Sequence, residues 1–178
     1  MLDRVSGKIL GYDADQVDAL MERVRRQYEN PKSRFVVASM LSSASFDIVP
    51  GGYSIDQVDR GLAEVADDFE RKDLARRVER LGRRAIQQEL RNQLGTIGQV
   101  LAQDPDKRFS PARNGFNKKL VLQLLQEVSV KEGKLVAPSS LELRTRPLGR
   151  SSGGPARAEV NEFISIIIAT LHGQELLG

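Results

Sequence analysis

One short motif occurs twice near the start of the chain, as GYDADQVD from Gly11 and as GYSIDQVD from Gly52. Both copies have a glycine, a tyrosine and a Gln-Val-Asp triplet at matched positions. A motif that recurs at a fixed spacing indicates repeated supersecondary units that stack on one another. The sequence therefore predicts a chain built from repeated helix starts.

Each copy has the chemistry of a helix N-terminus. Asp13 and Ser54 are good N-cap residues, and Gln16 and Gln57 follow three residues later, which completes a capping box. The tyrosine and the valine on either side form a hydrophobic staple, the glycine permits a turn, and the last aspartate lies near the positive end of the helix dipole. The residues assigned to this structural motif are Gly11, Tyr12, Asp13, Gln16, Val17, Asp18, Gly52, Tyr53, Ser54, Gln57, Val58 and Asp59.

The motif recurs in weaker form in the second half of the chain. NGFNKKLVL places Asn117 at an N-cap after Gly115, and GGPARAEVN places Ala156, a poor cap, after Gly154. The predicted organisation is a first repeat pair in residues 1–70 and a second, degenerate pair in residues 105–178.

The segment between the two pairs favours a long helix. From Ser54 the chain has no proline until after Gln103, and its apolar residues recur at steps of three and four, as in a coiled-coil seam. Gly82 is among the glycines that weaken this helix by about 1 kcal/mol relative to alanine. Residues 71–104 are the predicted continuation of the long helix. The predicted fold is all-α: a helical repeat with capped helices and a long central, possibly coiled-coil-like helix.

The charge of the long helix is polarised. Residues 53–70 have a net charge of −5 and residues 71–91 a net charge of +5. An antiparallel homodimer would place the two charges opposite each other; a solvated helix with two exposed faces is the alternative. The basic segment could also contact the headgroups of an anionic membrane or the phosphates of a nucleic acid, which is the alternative function. The candidate residues for such an anionic surface are Arg76, Arg80, Arg83, Arg84 and Arg91.

Residues for enzyme chemistry are sparse. The chain has no cysteine, which excludes disulfides and thiolate catalysis. Its one histidine, His172, is expected in the last turn of a helix that ends near Leu171, either at a favourable position for the helix dipole or simply exposed. The most apolar run, residues 163–171, is about half as long as a membrane span. The sequence predicts no enzyme, no catalytic residue, no metal site and no cofactor, and it favours a cytoplasmic protein.

The segments GYDADQVDALMERV and PGGYSIDQVDRGLAEV resemble the Gly-Tyr and Val-Asp-x-Leu motif of DivIVA-domain proteins. Their pairing is similar to that of the small DivIVA-domain repeat proteins of actinobacteria. The resemblance implies a non-enzymatic scaffold that self-associates, binds cell-division or cell-wall proteins and is enriched at the septum or the poles. In membrane-binding members a Phe-Arg pair precedes Gly-Tyr, where this chain has Ile9-Leu10 and Pro50-Gly51.

Overall fold

The structure is a computed structural model that describes residues 2–33 and 35–178. The chain divides between Glu70 and Arg71 into two compact units, called unit 1 and unit 2 below. In the described residues, helices account for most of the chain, and the strands are two or three residues long. The prediction of a mostly helical fold is confirmed.

Unit 1 is built around one antiparallel strand pair and the helices that follow each strand. Its elements in chain order are β1 Leu10–Tyr12, α1 Ala14–Glu29, α2 Ala38–Ser42, β2 Ile48–Pro50 and α3 Ile55–Leu81, of which the part from Arg71 onward belongs to unit 2. Strand β1 pairs with β2, with Gly11 opposite Val49. The buried residues of its core are Val17, Val24, Val36, Leu41, Val58, Leu62 and Ala66.

Unit 2 has three short antiparallel pairs: β3 with β8, β4 with β7, and β5 with β6. Its further elements are α4 Arg83–Ala102, β3 Pro111–Ala112, β4 Gly115–Phe116, α5 Lys118–Gln126, β5 Ser129–Lys131, β6 Lys134–Val136, α6 Ser140–Thr145, β7 Arg150–Ser151, β8 Gly154–Pro155 and α7 Arg157–Leu177. The largest residues that are fully buried in its core are Ile97, Leu124, Ile167 and Ile168.

The strands are the part of the fold that the sequence did not predict. A strand is recognised by apolar and polar residues that alternate over at least four positions. Here β1 has three residues and β4 only two, so no alternation can develop. Helix α5 begins after Asn117, where the sequence places an N-cap, and the chain enters β5 three residues after the helix ends at Gln126.

The helix that the sequence allows from Ser54 to about Gln103 is two helices in the structure. Helix α3 ends at Leu81 and α4 begins at Arg83, and Gly82 between them has φ 84° and ψ 151°. That backbone conformation is essentially restricted to glycine. The Arg77 guanidinium donates to the Glu89 carboxylate across the break. Twelve residues along a straight helix would separate these two positions by about 18 Å, so the chain turns at Gly82.

The apolar seam predicted along this segment is covered within the units. Val58 and Leu62 lie in the core of unit 1, and Leu94 and Ile97 lie in the core of unit 2. A coiled coil needs such residues to face a partner helix from another chain. These four residues are therefore not free to face a second copy, whereas Leu81, in the middle of the same segment, is 51% exposed.

The C-terminal helix is longer than the sequence predicted, and the expectation of an exposed histidine is wrong. Helix α7 continues to Leu177, and His172 is 2% exposed. A Cβ added at the next residue, Gly173, would lie 3.1 Å from Leu90 Cδ1, so this end of α7 packs closely against α4. This packing buries one face of the end of α7, and His172 is part of that end.

The hydrophobic stretches of the helices are short. No helix in the described part of the chain is both long enough and apolar enough to cross a bilayer.

Alanine substitution at two glycines tests the break between α3 and α4. Gly82→Ala should lower the free energy of unfolding by about 1–3 kcal/mol, because alanine is strained at this φ and ψ. Gly95→Ala should raise it by about 0.5–1 kcal/mol, because Gly95 lies inside α4 and an added Cβ meets nothing within 4 Å. Urea denaturation measures both changes. A stabilising Gly82→Ala would instead indicate one continuous helix.

Candidate functional site

The two Gly-Tyr motifs meet each other in unit 1. The Tyr12 N–H donates to the Tyr53 carbonyl oxygen at 2.9 Å, and the Tyr53 N–H donates to the Tyr12 carbonyl oxygen at 2.8 Å. The two backbones thus form an antiparallel bridge at the point where each chain segment enters its helix. We call this arrangement the motif crossing.

The glycines of the motif are required by close approach. A Cβ at Gly11 would lie closer than 3.0 Å to the Tyr53 carbonyl oxygen, and a Cβ at Gly52 would lie equally close to the Tyr12 carbonyl oxygen. Neither glycine has a positive φ, although the neighbouring Gly51 does. The interpretation of Gly11 and Gly52 as conformationally permissive turn residues is therefore wrong. Glycine is needed there because no side chain fits between the crossing backbones.

The first motif starts its helix with an N-cap, but its glutamine does not close a capping box. The Asp13 carboxylate accepts the Gln16 N–H at 3.0 Å, as expected of an N-cap. The Asp13 N–H, however, donates to the Asp47 carbonyl oxygen at 2.8 Å. The Gln16 side chain donates to the Asp47 carboxylate at 2.7 Å and accepts the Asp47 N–H at 2.9 Å. The expected capping box is thus replaced by a link to Asp47.

The second motif makes the same set of bonds with Asp3. The Ser54 N–H donates to the Asp3 carbonyl oxygen at 3.0 Å. The Gln57 side chain donates to the Asp3 carboxylate at 2.9 Å and accepts the Asp3 N–H at 2.8 Å. Sequence reasoning missed Asp3 and Asp47 because they lie outside the motif, at unequal distances before the two glycines. Their role depends on the folded crossing.

The tyrosines and the final aspartates bond between the motifs. The Tyr53 hydroxyl donates to the Asp18 carboxylate at 3.3 Å, and the Tyr12 hydroxyl bonds the Asp59 carboxylate. Burial raises the pKa of the Asp59 carboxyl, while its bond with Tyr12 acts in the opposite direction. Burial and the Asp59 carboxylate raise the pKa of the Tyr12 phenol. Each aspartate therefore binds the other motif's tyrosine, in addition to lying near a helix N-terminus.

The motif valines are part of the core of unit 1. Val17 is fully buried and Val58 nearly so, and both belong to the core of unit 1. The Tyr12 ring packs beside Phe46 with a centroid distance of 5.1 Å. Each of these motif residues thus has a structural partner. The glycine lies against the other backbone, and the tyrosine hydroxyl bonds a carboxylate. The glutamine bonds an aspartate, and the valine packs in the core.

Unit 2 contains a second close approach of two glycine backbones, although Pro155, which stands where unit 1 has Tyr53, has no N–H to donate across it. A Cβ at Gly115 would lie closer than 3.0 Å to the Gly154 carbonyl oxygen, and one at Gly154 would lie equally close to the Phe116 carbonyl oxygen. The Asn117 N–H donates to the Leu148 carbonyl oxygen at 3.0 Å, where unit 1 uses Asp13 and Asp47. The Asn117 side chain caps α5.

The other helix start of unit 2 repeats the link made by Gln57. The Ala156 N–H donates to the Ser110 carbonyl oxygen at 2.8 Å, and the Glu159 carboxylate accepts the Ser110 N–H at 2.7 Å. This bond lowers the pKa of Glu159. Ser110 and Glu159 thus occupy the places of Asp3 and Gln57, and Ala156 makes the backbone bond although it lacks a capping side chain.

The arginines proposed for an anionic surface all lie in unit 2 and are exposed. The break at Gly82 separates them: Arg76 and Arg80 belong to α3, and the other three belong to α4. Arg83 donates to the Leu177 carbonyl oxygen at 2.6 Å, and Arg91 donates to the Gln88 side chain at 2.6 Å. They do not form one continuous helix face.

The acidic segment is not one exposed face either. Asp67 is buried, Asp68 accepts the Tyr28 hydroxyl at 2.6 Å, and Asp59 bonds Tyr12. Half of its acids therefore have partners or positions inside unit 1. An antiparallel dimer would therefore have no uniform acidic surface to place opposite the basic segment.

No family model matches the chain, and no curated protein or solved structure is significantly similar to it. The resemblance to DivIVA-domain proteins therefore stays a prediction that rests on the motif residues.

Alanine at the crossing glycines should disrupt unit 1. Gly11→Ala and Gly52→Ala should each lower the free energy of unfolding by about 3 kcal/mol or more, because the added Cβ must push two hydrogen-bonded backbones apart. Gly7→Ala is the matched control, since a Cβ at Gly7 meets nothing within 4 Å. Urea denaturation checks all three. Crossing variants as stable as the control would contradict the close approach.

A double-mutant cycle tests which tyrosine bonds which aspartate. Tyr12→Phe and Asp59→Asn should be coupled by about 0.5–1.5 kcal/mol, because they remove the two ends of one hydrogen bond. Tyr12→Phe and Asp18→Asn, from the same motif, should be additive within about 0.5 kcal/mol. The free energies of unfolding of the single and double variants give both values. Coupling within a motif and not between motifs would reverse the assignment.

Proposed function

We propose that the protein is a non-enzymatic, DivIVA-like structural protein that acts through protein contacts in bacterial cell division or polar growth. The observation that supports this best is the motif crossing, in which the motif side chains bond one another. Polar groups of a ligand site converge on a concave pocket, where they orient the ligand. Here Gln16, Gln57, Tyr12 and Tyr53 have partners in the protein, which favours a structural role for the motif.

The architecture we propose is a duplicated pair of helix starts. Its support is the close approach of Gly11 to Gly52 and of Gly115 to Gly154, together with the bond that each N-cap N–H donates to a distant carbonyl oxygen. Such units present surfaces to partners while each keeps its own core. Since Val58, Leu62, Leu94 and Ile97 are internal, self-association would use other residues than these four.

An exposed apolar patch on unit 1 is the best candidate for a protein contact. Leu10 lies opposite Pro50 and Tyr12 lies opposite Ile48, so Leu10 and Ile48 share one face of the strand pair. Both side chains are more than half exposed, as is that of Ile9. Adjacent exposed apolar side chains of this kind mark interaction sites. We call Leu10 and Ile48 the ribbon patch.

The corresponding positions in unit 2 are polar. Asn114 precedes Gly115 as Leu10 precedes Gly11, and Arg150 lies opposite Phe116 as Ile48 lies opposite Tyr12. The fold of the crossing therefore does not require apolar residues there. Their presence in unit 1 alone favours a contact made by that unit.

A fluorescent fusion of the full chain in an actinobacterial cell tests this function. The wild type should be enriched at septa or poles. Leu10→Ser/Ile48→Ser should lower that enrichment about fivefold or more, because the loss of two apolar contacts costs about 1 kcal/mol or more. Val37→Ser/Met40→Ser replaces two exposed apolar residues elsewhere in unit 1 and should leave the enrichment unchanged. An even distribution of the wild type would overturn the proposed role.

A further inference from the structure

The turn between α3 and α4 forms a projecting corner of unit 2. All residues from Glu79 to Ala85 are exposed, and Leu81 at its centre is 51% exposed. A Cβ at Gly82 would meet nothing within 4 Å. We call residues 79–85 the Gly82 corner. Its surface is convex, so it offers no groove for a peptide or a helix.

A second exposed leucine lies at the same end of unit 2. Leu176, near the end of α7, is 42% exposed. The Arg83 guanidinium donates to the carbonyl oxygen of the next residue, Leu177, at 2.6 Å. This bond holds the end of α7 beside the Gly82 corner. The corner and α7 together therefore present two apolar side chains, those of Leu81 and Leu176.

Leu81 is surrounded by positive charge, and Glu175, which precedes Leu176, is paired with Arg71. The sequence from Arg76 to Arg84 has five arginines and one acid, Glu79. Arg77 is paired with Glu89, whereas Arg80 and Arg84 are exposed on either side of Leu81. Helix α4 also begins here, with Gly82 as an N-cap that has no side chain and with no acid in the first turn. The positive end of the α4 dipole meets the negative end of the α3 dipole at Leu81, so the positive charge of the corner comes from the arginines.

We propose that the Gly82 corner docks on the surface of an anionic lipid bilayer. Leu81 and Leu176 enter the boundary between headgroups and acyl chains, and Arg80 and Arg84 contact the lipid phosphates. Apolar side chains among cationic ones are the composition of interfacial membrane contacts. A nucleic acid would account for the arginines but would leave the two exposed leucines without a role. A bilayer is broad and deformable, so it can accept a convex corner.

This proposal does not depend on a role in cell division. Binding to vesicles is measured with the purified full chain, whereas the proposed function is read from localisation in cells. Either result can therefore fail without the other.

Flotation with phosphatidylcholine vesicles, with or without about 30% phosphatidylglycerol, tests the proposal. The wild type should float with the anionic vesicles and not with the neutral ones. Arg80→Glu/Arg84→Glu should lower the partition coefficient about 25-fold or more, since each arginine at an anionic surface contributes about fivefold. Leu81→Ser/Leu176→Ser should lower it about tenfold, because both apolar side chains leave the interface. Arg83 is left unchanged because it holds α7.

Arg113→Glu/Arg150→Glu is the matched control, with the same change of charge at two exposed positions elsewhere in unit 2. It should change the partition coefficient less than about threefold. Thermal unfolding by circular dichroism checks that all variants are folded. A wild type that does not float with anionic vesicles overturns the proposal. So does a control that loses as much binding as the corner variants, or a leucine variant that floats like the wild type. In the last case, binding of duplex DNA that weakens steeply with salt would assign the corner to nucleic acid.

Discussion

The close approach of two backbones at Gly11 and Gly52 is the constraint on which unit 1 depends. Because neither glycine has a Cβ, Tyr12 and Tyr53 can exchange two backbone hydrogen bonds at the crossing. That contact brings the starts of α1 and α3 together, so that the side chains of one helix start reach residues beside the other. The hydrogen bonds of both glutamines and both tyrosines, and the burial of both valines, follow from this single approach. A side chain at either glycine would push the starts of α1 and α3 apart and disrupt these contacts.

Unit 2 shows which parts of the arrangement are essential. It keeps the two glycines, the backbone bonds at Asn117 and Ala156, and a carboxylate in place of one glutamine. It has lost the hydroxyls, with Phe116 and Pro155 in place of the tyrosines, and it has lost their partners, with Leu122 and Asn161 in place of the aspartates. The hydroxyl donors and their carboxylate acceptors are thus both absent from unit 2. The backbone approach persists while the side-chain bonds vary.

The cores of the two units also decide which surfaces remain for partners. Apolar residues of α3 and α4 are buried in the cores of the two units, and some acids of residues 53–70 are bonded or buried in unit 1. Two of the surfaces that remain exposed are small and local: the ribbon patch of unit 1 and the Gly82 corner of unit 2. These two surfaces differ in chemistry, since the first is apolar and the second is apolar with a basic surround. They suit different partners, and each can be altered without touching a core.

The sequence by itself determined the helical class, the start of α1 at Asp13 and its end before Asn30, and the importance of the two motifs. These features are local, because caps and helical periodicity act over a few residues. It could not determine the reason for Gly11 and Gly52, the partners Asp3 and Asp47, or the two- and three-residue strands, because each depends on residues that are distant in sequence. It also could not place the turn at Gly82, since several glycines weaken that segment equally by propensity. The tertiary structure places the break at Gly82, and beyond it α4 packs against the end of α7 and buries Leu94 and Ile97 in the core of unit 2. Burial of this kind involves residues that are distant in sequence, so local propensity does not encode it.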